Sequence, residues 1–206
     1  MRYLLLCLVL FGAACAQTRP GPALPPSSTV AVAGFICPRN DWELMAGVLP
    51  EETPRVDDVA LTSLNARMAQ LMTARGGPFV SEGAVGACEE TVIATKERHR
   101  QETVQYWRQV GTCLGVDYVL VPYVTQWRSR DGGEYGVNVP ASVTLDLYLI
   151  DVATGQVRRA HFEEEQQGLA ENLLSGKRFV KRKGRWLTPE ELAAEGIAEA
   201  MKELGL

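Results

Sequence analysis

The stretch V-T-L-D-L-Y-L-I, residues 143–150, alternates without a break. Val143, Leu145, Leu147 and Leu149 fall on one side of an extended chain, and Thr144, Asp146, Tyr148 and Ile150 on the other. A period of two is the signature of a strand, because successive side chains leave a pleated backbone on opposite faces. One aliphatic face and one mixed face predict a half-exposed antiparallel strand. Ala153-Thr154-Gly155 supplies a turn, so the chain reverses into a partner strand from Gln156 to Glu164. This hairpin decides the fold, because everything upstream of it reads as alternating strand and helix.

Upstream, residues 28–36 (S-T-V-A-V-A-G-F-I) form a nearly continuous apolar run ended by Cys37-Pro38, which predicts a strand buried on both faces. Residues 38–57 form a long excursion containing three prolines and Trp42. Leu61, Leu64, Met68, Leu71 and Met72 then recur at helical spacing, predicting a helix from Asp57 to Arg75 that Gly76-Gly77-Pro78 stops. At that spacing the two methionines read as core packing. A short strand over 79–81 and a second helix from Glu89 to Leu114, capped by Gly115, follow. Val116 to Trp127 is the third strand, and Pro122 inside it must meet a bulge or a free edge, because it has no N–H to give a ladder. Arg128 to Pro140 reads as a Gly-rich polar loop.

Downstream, Thr188-Pro189-Glu190-Glu191 is a capping box with proline at the first helical position. The helix it opens buries Ala193, Ile197, Ala200, Met201 and Leu204. The expected fold is therefore an α/β sandwich in the order β-α-β-α-β, then a β-hairpin and a C-terminal helix. Its mixed sheet is parallel in the first half and antiparallel in the second. A length of 206 residues suits one such domain over 29–206.

The first fourteen residues stand apart. Arg2 precedes an apolar run from Leu4 to Ala14, too short for a membrane-spanning helix, which needs about 20 residues, and suited to an export signal. Gly12-Ala13-Ala14-Cys15 resembles a lipobox, with Gly12 where that pattern usually has Leu. The resemblance implies cleavage before Cys15 and lipidation of its thiol. The rival cut, reading Ala14-Cys15-Ala16 as A-x-A, leaves a soluble periplasmic chain beginning at Gln17. Residues 16–28 carry four prolines and read as a stiff tether, reaching roughly 40 Å at about 3.1 Å per residue. The expectation is a lipid-anchored protein on the outer membrane, facing the periplasm.

T-V-A-V-A-G-F at 29–35, L-G-V-D-Y-V-L-V at 114–121 and L-Y-L-I-D-V-A-T-G-Q-V at 147–157 together carry a resemblance. Over about residues 29–166 the chain resembles the fold group of the TolB amino-terminal domain, the curli-secretion lipoproteins (CsgG) and the lipoprotein activators of penicillin-binding proteins (LpoB). The resemblance implies the fold and an envelope location. It does not imply one job, because this scaffold hosts several. A curli-type pore needs added membrane-crossing hairpins, and no insertion here supplies a pair of them.

Catalytic patterns are absent from the sequence. The two histidines are His99, on a charged helical stretch, and His161, in a strand, and no Gly-rich phosphate loop, H-E-x-x-H or C-x-x-C occurs. No cofactor, metal site or catalytic residue is expected. Cys37 and Cys88 follow the ends of neighbouring parallel strands, so a disulfide between them is one expectation, and three free buried thiols, Cys113 included, are the other. The binding surfaces expected are the 38–57 loop with Trp42 and the basic run Lys177, Arg178, Lys181, Arg182, Lys183 and Arg185 with Trp186. Basic residues interleaved with an aromatic suit an anionic polymer or a lipid headgroup surface; a solvated connector paired with Glu163-Glu164-Glu165 is the alternative. A net charge of −4 argues against nucleic acid as a partner. The function expected is a non-catalytic binding or assembly module for an envelope protein or polymer. A structural homo-oligomer subunit and an envelope hydrolase built on His161 are the alternatives.

Overall fold

Strand β1 (Val30–Val32) leads to α1 (Asp58–Arg75), β2 (Phe79–Val80), α2 (Glu82–Thr95), α3 (Thr103–Leu114) and β3 (Tyr118–Arg128). Then come β4 (Asp131–Gly133), β5 (Gly136–Val139), β6 (Ser142–Asp151), β7 (Val157–Glu165), α4 (Gly176–Lys181) and α5 (Pro189–Leu204). The computed structural model describes residues 21–51, 54–95, 102–167 and 176–206. The main sheet has the order β2-β1-β3-β6-β7, parallel from β2 to β3 and antiparallel from β3 to β7. This is the mixed sheet that the hairpin reading predicts.

The sheet lies between two helical layers. On one face Leu145, Leu147 and Leu149 of β6 pack with Leu64 and Met68 of α1 and Leu192 and Ile197 of α5. On the other, Val119, Val121 and Ile150 pack with Trp107 and Val110 of α3 and Val85 of α2. The expected half-exposed strand is corrected accordingly: Tyr148 and Ile150 on its outward face are 3% and 0% exposed, because a helical layer covers the second face too. The capping box at α5 is present in full, with Glu191 N–H donating to the Thr188 hydroxyl at 3.3 Å and Thr188 N–H to Glu191 at 2.9 Å.

Pro122 sits where β1 interrupts itself. Its carbonyl accepts from Ile36 N–H, and Val124 N–H donates back to the Ile36 carbonyl. The nitrogen of Pro122, on that same side, therefore meets the gap left where the chain swings out of the sheet after Ala33. The bulge in β3 falls later, between Val124 and Gln126. The predicted strand over 28–36 is thus three residues plus one bridge, Ile36 with Tyr123.

Three further expectations are corrected. The helix expected from Glu89 to Leu114 is two helices, α2 starting seven residues earlier than predicted and α3 separate from it. The expected Gly-rich loop is the β4–β5 hairpin, with Glu134-Tyr135 at its tip. The disulfide joins Cys88 to Cys113, with Cα atoms 6.0 Å apart, and Cys37 is free. The Cys37–Cys88 pairing assumed that Cys88 lay at a strand end. Folding of 82–95 into α2 carries Cys88 into the helical layer, where α3 presents Cys113.

The Pro-rich stretch is not a free spacer from Gly21 onward. Gly21 N–H donates to the Glu203 carbonyl at 2.7 Å and Leu24 N–H to the Gly205 carbonyl at 3.1 Å. Arg158 holds the Pro22 carbonyl at 2.8 Å, and Leu24 is buried against the α1–α5 core. Cys15 and the rest of residues 1–20 lie outside the described residues, as does His99.

Candidate binding groove

The chain leaves the sheet after Ala33, and Phe35 N–H is caught by the Asn65 side chain of α1 at 2.9 Å. After the bridge at Ile36, the described parts of the excursion, residues 38–51 and 54–57, arch over the outer half of the sheet's second face. Three contacts pin the arch. The Tyr123 hydroxyl donates to the Glu43 carbonyl at 2.6 Å, and the Thr103 hydroxyl lies 2.9 Å from the carbonyls of both Trp42 and Leu44. The Glu43 carboxylate accepts from Arg39 N–H and the Asn40 amide, each at 2.8 Å, closing the short turn at Asp41–Glu43. Long excursions of this kind in compact domains serve function more often than packing.

Beneath the arch runs an open groove of about 1780 Å³. Its outer wall is aliphatic, from Leu44, Val48, Leu49, Pro50, Pro54 and Val56. Its floor is the sheet next to the α2–α3 layer, with Tyr123, Gln126, Thr144, Asp146, Tyr148 and Arg159. Strand register assembles that floor: Tyr123 stands opposite Asp146, which stands opposite His161, and Tyr148 stands opposite Arg159.

Asp146 is 6% exposed, and its Oδ1 is the focus of three contacts. Arg159 donates to its Oδ1 from Nε at 2.8 Å and Nη2 at 2.7 Å, and His161 Nδ1 lies 2.9 Å from the same oxygen. The other ring nitrogen of His161 faces Glu163 at 3.5 Å. Both ring nitrogens of His161 thus face carboxylates, not a hydroxyl or thiol that a general base would activate. Burial works against the charge on Arg159, but its bond to Asp146 outweighs that and raises its pKa.

Tyr148 is the unusual group. Its ring packs edge-on to Tyr123 at 5.5 Å, and the Arg159 guanidinium lies 5.8 Å from its centroid. Its hydroxyl has no hydrogen-bond partner among the described residues, although the side chain is almost wholly buried and lines the groove. Burial and the Asp146 charge raise its pKa against the pull of Arg159, so the phenol keeps its proton at neutral pH and can donate. At the rim, Arg39 and Arg55 are exposed, and neither pairs with a carboxylate among the described residues.

The basic run lies elsewhere. Arg182, 8% exposed, binds Glu164 at 2.5 and 3.1 Å and Glu195 at 2.6 Å; Arg178 binds Glu164 at 2.6 Å. Arg185 pairs with Glu134 at 2.7 Å, and Trp186 N–H donates to the Glu134 carbonyl, tying the run to the β4–β5 hairpin. Lys181 and Lys183 are exposed, and Lys177 lies in α4. The alternation of β7 explains the pairing: Glu164 shares the face of Ala160 and Phe162 and meets α4 and α5, whereas Glu165 on the opposite face binds Arg128 at 2.7 Å. Trp42 is 38% exposed on the arch, on the side held by Thr103. Of the residues singled out from sequence, only the 38–57 loop itself belongs to the groove. Asp146 and Tyr148 were readable as one face of a strand, but nothing in the sequence announced Arg159 beside them or the arch above.

No family model matches the chain, and no curated protein matches it. Among solved structures it is similar to the PelC dodecamer from Paraburkholderia phytofirmans, at 17% identity over 91% of this chain and 94% of that one, TM-score 0.42. It is also similar to the LpoB C-terminal domain from Escherichia coli, at 14% identity over 68% and 84%, TM-score 0.40. A third is lipoprotein GNA1162 from Neisseria meningitidis, at 14% over 76% and 97%, TM-score 0.39. LpoB is one of the three groups named from sequence; a specific likeness to TolB or CsgG is not shown. Scores and identities this low fix neither family nor activity. Among the described residues, no helix is long and apolar enough to cross a membrane.

Proposed function

We propose that this chain is a membrane-anchored periplasmic lipoprotein, a non-catalytic binding or assembly module whose partner, an envelope protein or polymer, occupies the groove under the 38–57 arch. The export signal and Cys15 support the location. The observation that carries the binding role is the arch itself. It is pinned at Tyr123 and Thr103, yet it leaves a groove over the sheet in which Gln126, Thr144 and Arg159 stay accessible instead of packing down on them.

A photocrosslinking amino acid at Val48, on the groove wall and 86% exposed, tests this in intact envelopes. Discrete adducts that vanish when the crosslinker is moved to Val59, exposed on α1 outside the groove, are expected. Identical adduct patterns from both positions refute the groove as the contact. Metabolic acyl labelling of the wild type and of Cys15→Ala tests the anchor separately: the label disappears with the thiol.

The homo-oligomer alternative has weaker support. β2 is two residues long, and the free edge strand β7 carries Arg158, Arg159, His161, Glu163 and Glu165, a pattern that discourages strand-to-strand joining.

A further inference from the structure

Resting on that reading, we infer that the groove takes an extended polypeptide segment in which carboxylates alternate with apolar side chains, a carboxylate meeting the Tyr148 hydroxyl and the rim arginines Arg39 and Arg55. The first ground is the buried phenol. The ring of Tyr148 is buried while its hydroxyl reaches the groove, so the donor is held in place by packing and stays open to a ligand. Tyr148 meets no acceptor among the described residues, and it lines an open groove. Asp146, the nearest strand neighbour on that face, turns its Oδ1 to Arg159 and His161 and makes no hydrogen bond to Tyr148. A protonated phenol is a donor seeking an acceptor.

Charge gives the sign of that acceptor. Arg159 and Arg128 are committed to Asp146 and Glu165. Arg39 and Arg55, at two ends of the arch, carry exposed guanidinium groups whose planar donor fork fits carboxylates. The basic run over 177–186, which sequence alone nominated, has its three arginines paired with glutamates. Among the described residues, the arginines beside a cavity that pair with no carboxylate are therefore at the arch, where Glu51 is the exposed carboxylate next to them.

Size and wall chemistry select a peptide over an anionic sugar polymer. Small-molecule pockets run to about 300–1,000 Å³, and this groove is larger, about 1780 Å³. Sugar rings are held on open aromatic faces, but Tyr123 and Tyr148 are packed against each other and under Arg159, and both are nearly fully buried. The wall is instead aliphatic and proline-rich, with Val48 86% exposed. Such a wall suits leucine-like side chains between the acidic ones.

The test is selection of a displayed random dodecapeptide library on the full-length protein, followed by titration of the enriched peptides and of polygalacturonate. Enrichment of acidic-apolar sequences is expected, with affinity lowered about 3–10-fold by Tyr148→Phe, about the worth of one hydrogen bond. Arg39→Ala with Arg55→Ala should weaken binding by a similar factor and flatten its salt dependence. Tyr148→Phe should leave the melting temperature unchanged, since the hydroxyl bonds nothing in the fold; a fall would mark it as structural and overturn the inference. Basic enriched peptides, or peptides indifferent to these variants, overturn it while leaving a binding module intact. Polygalacturonate binding that competes at the groove, with no peptide enriched, overturns the peptide assignment but keeps the groove. Binding of neither probe removes both the inference and the groove.

Discussion

Glu164 Oε1 lies 2.5 Å from Arg182 Nη1, and the same guanidinium reaches Glu195 through Nη2 at 2.6 Å. The arginine side chain is 6% exposed and the Glu164 side chain 11%. The pair joins the last inward residue of β7 to the segment that leads into α5.

Burial pushes the Glu164 carboxyl up, but bonds and charge from Arg182 and then Arg178 outweigh it and hold the pKa below its ordinary 4.5. A pKa lower in the folded than in the unfolded chain stabilises fully above about pH 4.5 and is lost as pH falls through the folded value. Glu164→Gln should cost about 1–3 kcal/mol at pH 7, Arg182 keeping Glu195 as a partner. The difference from wild type should close in acid. Urea midpoints for both proteins across that range check this; a gap that persists below the folded pKa contradicts it.

Loss of the Cys88–Cys113 bridge should be costly. It closes a loop with a sequence separation of 25, for which the chain-entropy account gives about 3.5 kcal/mol. Cys88→Ala and Cys113→Ala should each show that loss, whereas Cys37→Ala should not disturb the bridge. Peptide mapping without reduction reads the pairing directly, and a linked Cys37 peptide would refute it.

Two glycines should respond in opposite directions. A Cβ on Gly196 of α5 would come within 2.7 Å of the buried Phe162 ring, so Gly196→Ala should destabilise by about 1–3 kcal/mol. A Cβ on Gly86, in α2, meets nothing within 4 Å, so Gly86→Ala should stabilise by about 0.5–1 kcal/mol. Thermal melts of the two variants give the comparison, and a shared sign would be inconsistent with the packing described.

Leu24 should behave as a core residue although it lies in a Pro-rich stretch. It is 9% exposed among α1 and α5 side chains, and its N–H is bonded to the Gly205 carbonyl. Leu24→Ala should cost about 2 kcal/mol, near the low end for buried leucine truncations. Denaturant unfolding measures it; an unchanged midpoint would mean that the stretch is detached in solution.

These elements differ in how much the sequence revealed. Thr188 and Glu191 marked the start of α5 because a capping box is a local device, complete within four residues. The alternation over 143–150 marked a strand for the same reason. It could not show that α3 covers Tyr148 and Ile150, because burial depends on residues tens of positions away. Helix α2 was read late because Gly83, Ala84, Gly86 and Ala87 are small and give no strong apolar stripe; the wrong cysteine pairing followed from that. The groove was hidden for a similar reason. It needs Arg39 from the arch, Tyr123 from β3, Tyr148 from β6 and Arg159 from β7, brought together only by sheet register.

The clasp of residues 21–24 on the end of α5 also fixes a posture. Five residues separate Cys15 from Gly21, and six Cα steps span at most about 21 Å. β1 and β3 begin at that clasped end, while the arch and the β4–β5 hairpin lie at the other. Were Cys15 acylated, as proposed, the body would be moored on a short line by its base, with the arch at the end farther from the lipid.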